Sequence, residues 1–154
     1  MKTKLLSGQT LVETVAALAV AIIIVAALVG MSVTSLRASN LSRSKAIAAQ
    51  LLSEETERAR IYRDTNSFSG LVAGLSLGAQ VCPVTIGPLY IDSGQTVVAG
   101  SEAVTTSALN FTRSFVACFT NVAANVIEIS ATVSWTDSTG THPVKSTTYL
   151  SNWR

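Results

Sequence analysis

The sequence predicts an α+β protein: a long N-terminal α-helix, its first half membrane-spanning, packed on a small C-terminal antiparallel β-sheet. Three observations predict it. Residues 15–29 are apolar without interruption. Residues 32–64 tolerate helix and carry apolar side chains at helical spacing, and no proline occurs before Pro83. Beyond residue 64 the composition turns to Ser, Thr, Gly and β-branched residues, the signature of strands and turns.

The chain begins with a short basic segment, residues 1–8, holding Lys2 and Lys4 and ending at Gly8. The apolar segment, residues 9–31, follows. Leu11, Val12 and Met31 extend its dense part to roughly the 20 residues that span a bilayer. Positive charge ahead of such a run places the N-terminus in the cytoplasm and the remainder of the chain outside. Glu13 lies near the start of the run, where a carboxylate needs a reason. A charged side chain at mid-bilayer costs at least about 2.5 kcal/mol, so Glu13 is a candidate functional residue. Gly30 is a second irregularity. Glycine inside a helix costs about 1 kcal/mol relative to alanine, and Ser32, Thr34 and Ser35 follow it. The site is either a plain membrane boundary or a weak point where the helix kinks or melts.

Residues 32–64 continue the helix as an amphipathic stretch. Ala48, Leu51, Leu52, Ala59 and Tyr62 fall at spacings of three, four and seven and draw one stripe. Glu54 and Arg58 stand at the i,i+4 spacing of a helical ion pair. Glu54, Glu55, Glu57 and Asp64 read together as a charged, solvated helix face. One helix over residues 10–64 would be about 80 Å long at 1.5 Å per residue.

Residues 65–154 form a β-rich head. The stretch 66–78 reads as a loop. Strands are expected at 80–86, 89–91, 96–99 and 111–119, and at 126–135 and 144–153, the last two joined as a hairpin by a turn at 137–140. Trp135 and Trp153 are expected to anchor the sheet against the helix. Cys82 and Cys118 lie on the outer side of the run, where an oxidising compartment favours a disulfide; the alternative is two buried thiols. As a pair they would close a loop worth roughly 3–4 kcal/mol of chain entropy.

Several function classes are disfavoured. A net charge of +2, with only Arg113, Lys145 and Arg154 as basic residues beyond residue 65, supplies no stripe for phosphates, so no nucleic-acid partner is expected. His142 is the only histidine and sits beside Pro143, so it reads as a solvated loop residue. No nucleophile with a companion base, no metal-ligand spacing and no phosphate loop is visible. We expect no enzyme activity and no cofactor.

The first thirty residues resemble the type IV pilin family and its relatives, the pseudopilins of type II secretion and the minor pilins of competence and twitching systems. The resemblance rests on the basic leader, on Gly8, Thr10, Leu11, Val12 and Glu13, and on the apolar run behind them. Gln9 stands where the family mostly has phenylalanine. The resemblance implies cleavage between Gly8 and Gln9 by a prepilin peptidase, and N-methylation of Gln9. It implies assembly with other pilin subunits, the carboxylate of Glu13 neutralising the new amine of a neighbour. Many pilins have a helix-breaking proline near the position of Gly30. The chain is thus expected to be a structural filament subunit, minor-pilin-like. It would be held first in the cytoplasmic membrane by a single pass and later in a cell-surface or periplasmic filament. The competing expectations are a non-polymerising surface domain that binds a ligand from a single-span anchor, and a secreted domain cut near Ser35.

Overall fold

The computed structural model describes residues 7–106, 109–123 and 125–152, with side chains from Leu11 onward. Lys2, Lys4 and Trp153 lie outside the described residues, and Gly8 and Gln9 enter only as backbone. The architecture is α+β. Helix α1 runs over Ser7–Gly74 and is followed by β1 (Ile86–Ile91), β2 (Val97–Ala99), β3 (Glu102–Thr106), β4 (Leu109–Asn121), β5 (Val126–Asp137) and β6 (Gly140–Ser151). The chain divides into two compact units, residues 1–43 and 44–154.

In the first unit every residue from Leu11 to Asn40 is exposed. The hydroxyls of Thr14, Ser32 and Thr34 donate to the carbonyls of Leu11, Leu28 and Met31, each at 2.9 Å. Those side chains satisfy themselves on their own helix, which lets them sit in an apolar surrounding. The helix continues through Gly30, and a Cβ at that position would meet nothing within 4 Å.

In the second unit the later part of α1 packs on a six-stranded antiparallel sheet of order β2-β1-β4-β5-β6, with β3 also pairing β4. Ala48, Leu51, Leu52 and Ala59 are buried as their spacing predicts, whereas Tyr62 is half-buried. The helix differs from expectation at its end. Ser67 leaves helical geometry (φ 66°, ψ 169°), and the chain then resumes helix to Gly74 where a loop was expected. Phe68, Leu71 and Leu75 explain the resumption, since they repeat at helical spacing and all are buried. Ser67 Oγ accepts the amide N–H of Gly70 at 3.4 Å and caps the new turn.

The inner face of the sheet comes from alternation. Phe111, Phe115, Ala117 and Phe119 of β4 stand opposite Trp135, Ala131, Ile129 and Ile127 of β5, and all are buried. Large faces small at Phe115–Ala131 and Ala117–Ile129, so the side chains of the layer interdigitate. Trp135 anchors the core as expected and packs on Phe111 with ring centroids 5.7 Å apart.

The far edge of β4 is shared. Residues 109–113 pair with β3 and residues 115–117 with β1. β3 was not anticipated because its sequence, EAVTT, has no apolar alternation, and all five of its residues remain partly exposed; its place is set by register with β4. The strand expected at 80–86 is reduced to one parallel bridge, Val81 to Phe119, and β1 begins only at Ile86. Pro83 lacks the N–H that would continue the ladder. Gly87 (φ 141°) sits where β1 bulges against β4, and a Cβ there would come 2.8 Å from the carbonyl of Phe115. β6 begins at Gly140, four residues earlier than the strand expected over 144–153.

Cys82 and Cys118 are joined by a disulfide with Cα atoms 5.3 Å apart. Two hydrogen bonds flank it: Cys82 N–H donates to the carbonyl of Phe119 at 3.0 Å, and Phe119 N–H donates to that of Gln80 at 2.8 Å. The bond therefore fastens the segment before β1 to the buried strand β4.

Candidate functional site

The first candidate is the exposed stretch of α1. Fourteen large apolar side chains between Leu11 and Leu36 face outward. A contiguous apolar surface of that extent marks a membrane or protein contact, and the helix is long and apolar enough to cross a membrane. Glu13 is exposed on this surface, the one charged residue between Leu11 and Leu36, and among the described residues it has no ion pair. Gly8, Gln9 and Glu13 fall in one stretch of continuous helix, and Gly30 lies further along it.

The second candidate was not anticipated. Glu55 and Arg113 are buried to 1% and 2% exposure, and they belong to a cluster with Glu54 and Arg58 of α1 and Glu102 of β3. The expectation of a solvated charged face holds for Glu54, Glu57 and Asp64, which are exposed, and fails for Glu55. Glu55 follows Leu52 by three residues and precedes Ala59 by four, which puts it on the apolar stripe itself. That spacing was the available signal, and residue type obscured it.

Arg113 stands directly across from Glu102 in the β3–β4 register. Its Nε and Nη2 donate to Glu102 Oε2 at 2.6 and 2.5 Å, while Nη1 lies 3.4 Å from Glu54 Oε1. Arg58 Nη2 donates to the same Glu54 oxygen at 2.6 Å, the anticipated i,i+4 pair. Because the Nε–H of Arg113 is directed to Glu102, its 3.3 Å approach to Glu55 Oε2 is a charge contact without a hydrogen bond, and Oε2 has no hydrogen-bond partner among the described residues.

Helix α1 also completes the backbone of β1. After Leu89 pairs with Phe115, the next place beside Arg113 is taken by Glu102 of β3, so Ile91 loses its β4 partner. Glu55 Oε1 accepts the N–H of Ile91 at 3.1 Å, and Arg58 Nη1 donates to the carbonyl of Ile91 at 2.8 Å. Two helix side chains thus stand in for a neighbouring strand, leaving neither group of a fully buried residue unpaired.

The electrostatics follow from burial and charge. Burial pushes the Glu55 carboxyl above the ordinary range; the Ile91 N–H, Arg113 and Arg58 oppose this without overcoming it, and Glu102 adds to it. For Glu54 burial acts upward too, but the hydrogen bond from Arg58 and the charges of Arg113 and Arg58 outweigh it and hold the carboxyl low. Burial acts to lower Arg113, and the hydrogen bond it donates to Glu102, with the surrounding carboxylates, raises it above its usual value.

Two further features complete the second unit. His142 is half-buried in β6 rather than solvated in a loop, stacked on Trp135 with centroids 5.3 Å apart. Its Nε2 lies 3.1 Å from Asp137 Oδ1 and 3.0 Å from Thr139 Oγ1. The Thr139 hydroxyl and N–H both donate to Asp137 Oδ1 and, with His142, bring that carboxyl down to about 2. All three polar groups converge on one carboxylate oxygen, which closes the turn between β5 and β6. An open groove of about 780 Å³ lies at the Ser67 break, with Asn66, Phe68, Phe119, Asn125 and Asn152 among its lining.

Compared with protein families, characterised proteins and solved structures, the chain matches none. The architecture is pilin-like: a long apolar N-terminal helix, an antiparallel sheet packed on its later part, and a disulfide within the sheet unit.

Proposed function

We propose that this chain is a structural subunit of a helical filament of the type IV pilus or pseudopilus kind, stored in the cytoplasmic membrane before assembly. The observation that carries the reading is the fully exposed apolar surface of α1 with Glu13 as its one charge. A membrane accommodates the apolar side chains, but it gives the carboxylate no partner. A filament of like subunits accommodates both, because each neighbour brings an apolar helix and, once cleaved after Gly8, a free amine at Gln9. Opposite charges in such a surrounding attract strongly while each carries a desolvation penalty, so the pair acts mainly on register. The partners of this reading are the membrane, a prepilin peptidase and other pilin subunits, and the chain performs no catalysis. The disulfide of the second unit belongs with an oxidising compartment and supports an external location for residues 44–154.

Mass spectrometry of the mature N-terminus tests the processing. A methylated Gln9 is expected; an intact Met1 would favour the anchored binding domain, and a start near Ser35 a secreted one. Glu13→Ala is expected to remain in the membrane and to drop out of filaments recovered by shearing. Incorporation at the wild-type level would overturn the assigned role of Glu13.

A further inference from the structure

The cluster around buried Glu55 and Arg113 has three carboxylates, with Glu102 part-buried and Glu54 exposed. Glu54, Glu55 and Glu102 face Arg58 and Arg113, three negative charges against two positive, and no other ion pair joins the cluster among the described residues. The groups come from every element packed there: α1 supplies Glu54, Glu55 and Arg58, β3 supplies Glu102, β4 supplies Arg113, and β1 presents only the backbone of Ile91. With all three carboxylates ionised, an excess negative charge is held where Glu55 and Arg113 are almost wholly shielded from water. Desolvation disfavours that state.

We propose that this cluster is a proton-tightened clasp: it takes up one proton on Glu55, becomes neutral, and thereby holds α1 more firmly to β1, β3 and β4 in mild acid than at neutral pH. The geometry identifies both the residue and the atom. Glu54 Oε1 and Glu102 Oε2 each receive at least one close guanidinium N–H, so protonating either loses a charge-assisted bond. Glu55 Oε1 accepts the N–H of Ile91, but Oε2 has no hydrogen bond to lose, only its 3.3 Å charge contact with Arg113. A neutral carboxyl retains the bond at Oε1, so the connection to β1 survives protonation.

The direction with pH follows from linkage. A carboxyl whose folded pKa is raised binds its proton more readily in the native state, so its stabilisation is complete below the unfolded value and is lost as pH rises through the folded one. Glu55 is raised from 4.5, and its clasp therefore tightens as pH falls from neutral toward that value. Glu54 is lowered from 4.5, so its contribution is lost only below it. The two windows do not overlap, and the second unit is expected to be most stable in mild acid.

The test uses the full chain in detergent micelles. With ¹³C-labelled glutamate, the Glu55 side-chain carboxyl is expected to titrate above the ordinary range of about 4.3. The urea midpoint of the wild type is expected to rise between about pH 7.5 and about pH 5, and that of Glu55→Gln to stay level over the same interval. A Glu55 carboxyl that titrates at or below the ordinary range, or a Glu55→Gln midpoint that rises as the wild type does, overturns the proposal. Should Glu55→Gln fail to fold, the wild-type carboxyl titration decides alone. Neither measurement depends on filament assembly.

Discussion

Glu13 and Glu55 belong to the same helix, and each interrupts an apolar surface, yet among the described residues only Glu55 is met by an ion-pair partner. Glu55 is met by a backbone N–H and by the charge of a guanidinium whose donors are directed to two further carboxylates. Glu13 stands exposed among exposed apolar side chains and has no ion pair among the described residues. The difference teaches how to read a carboxylate in apolar surroundings. Where the counter-charge lies inside the fold, as at Glu55, the residue organises the fold; Glu13, with no ion pair among the described residues, is the carboxylate that the proposed assembly would engage. The units that contain them differ in the same sense. Residues 44–154 bury their apolar side chains against one another and carry a covalent link, whereas Leu11 to Asn40 leave theirs exposed.

The comparison breaks most readily at Arg113. Removing its side chain leaves Glu55 and Glu102 without their shared cation, and Arg113→Ala is expected to destabilise the second unit by about 3–5 kcal/mol, read from urea unfolding in detergent micelles. A loss below about 1 kcal/mol, the value of an exposed pair, would mean that the cluster is effectively solvated. The paired change Cys82→Ser with Cys118→Ser is expected to cost about 3–4 kcal/mol in the same assay. It tests how far the second unit depends on its covalent link beside the hydrogen bonds that flank it.

Ser67 gives a smaller effect of opposite sign. Its backbone occupies a region nearly reserved for glycine, a strain of about 1–3 kcal/mol. Ser67→Gly relieves that strain, gives up a capping hydroxyl worth a few tenths of a kcal/mol against glycine, and adds roughly 0.5–1 kcal/mol of unfolded-chain entropy. A net gain of about 1 kcal/mol is expected, whereas Ser67→Ala, which keeps the strain and loses the cap, should be about 1 kcal/mol less stable than wild type. Glu13→Ala should be smallest of all, shifting unfolding by no more than about 0.5 kcal/mol. A larger shift would show that Glu13 supports the fold and would erase its contrast with Glu55.

Much of this fold was legible, and what was not has a physical pattern. The stripe of Ala48, Leu51, Leu52 and Ala59 is visible because helical burial repeats every three or four residues. β4 and β5 are visible because one side of each is apolar along their length. β3 was invisible because neither of its sides is, and the helix beyond Ser67 was hidden by serines and glycines that suggested a loop. Of the site residues, the run around Glu13 stood out by its own composition. Glu55 did not, since its type argued for the surface while its spacing argued for the core, and only the position of Arg113 favours the spacing.

The sequence by itself determined the local structure: where the helix is apolar on all sides and where on one, where strands alternate, and that two cysteines were available to pair. Those properties depend on residues a few positions apart, whose periodicity survives in a linear text. Tertiary structure alone decided that β3 displaces β1 beside Arg113, that Ile91 turns its freed backbone to Glu55 and Arg58, and that Cys82 lies against β4 to meet Cys118. Each depends on side chains distant in sequence whose charges or bonds have meaning only once the chain has brought them together. Burial then raises the stakes, because a polar group without a partner is cheap in water and costly in the core.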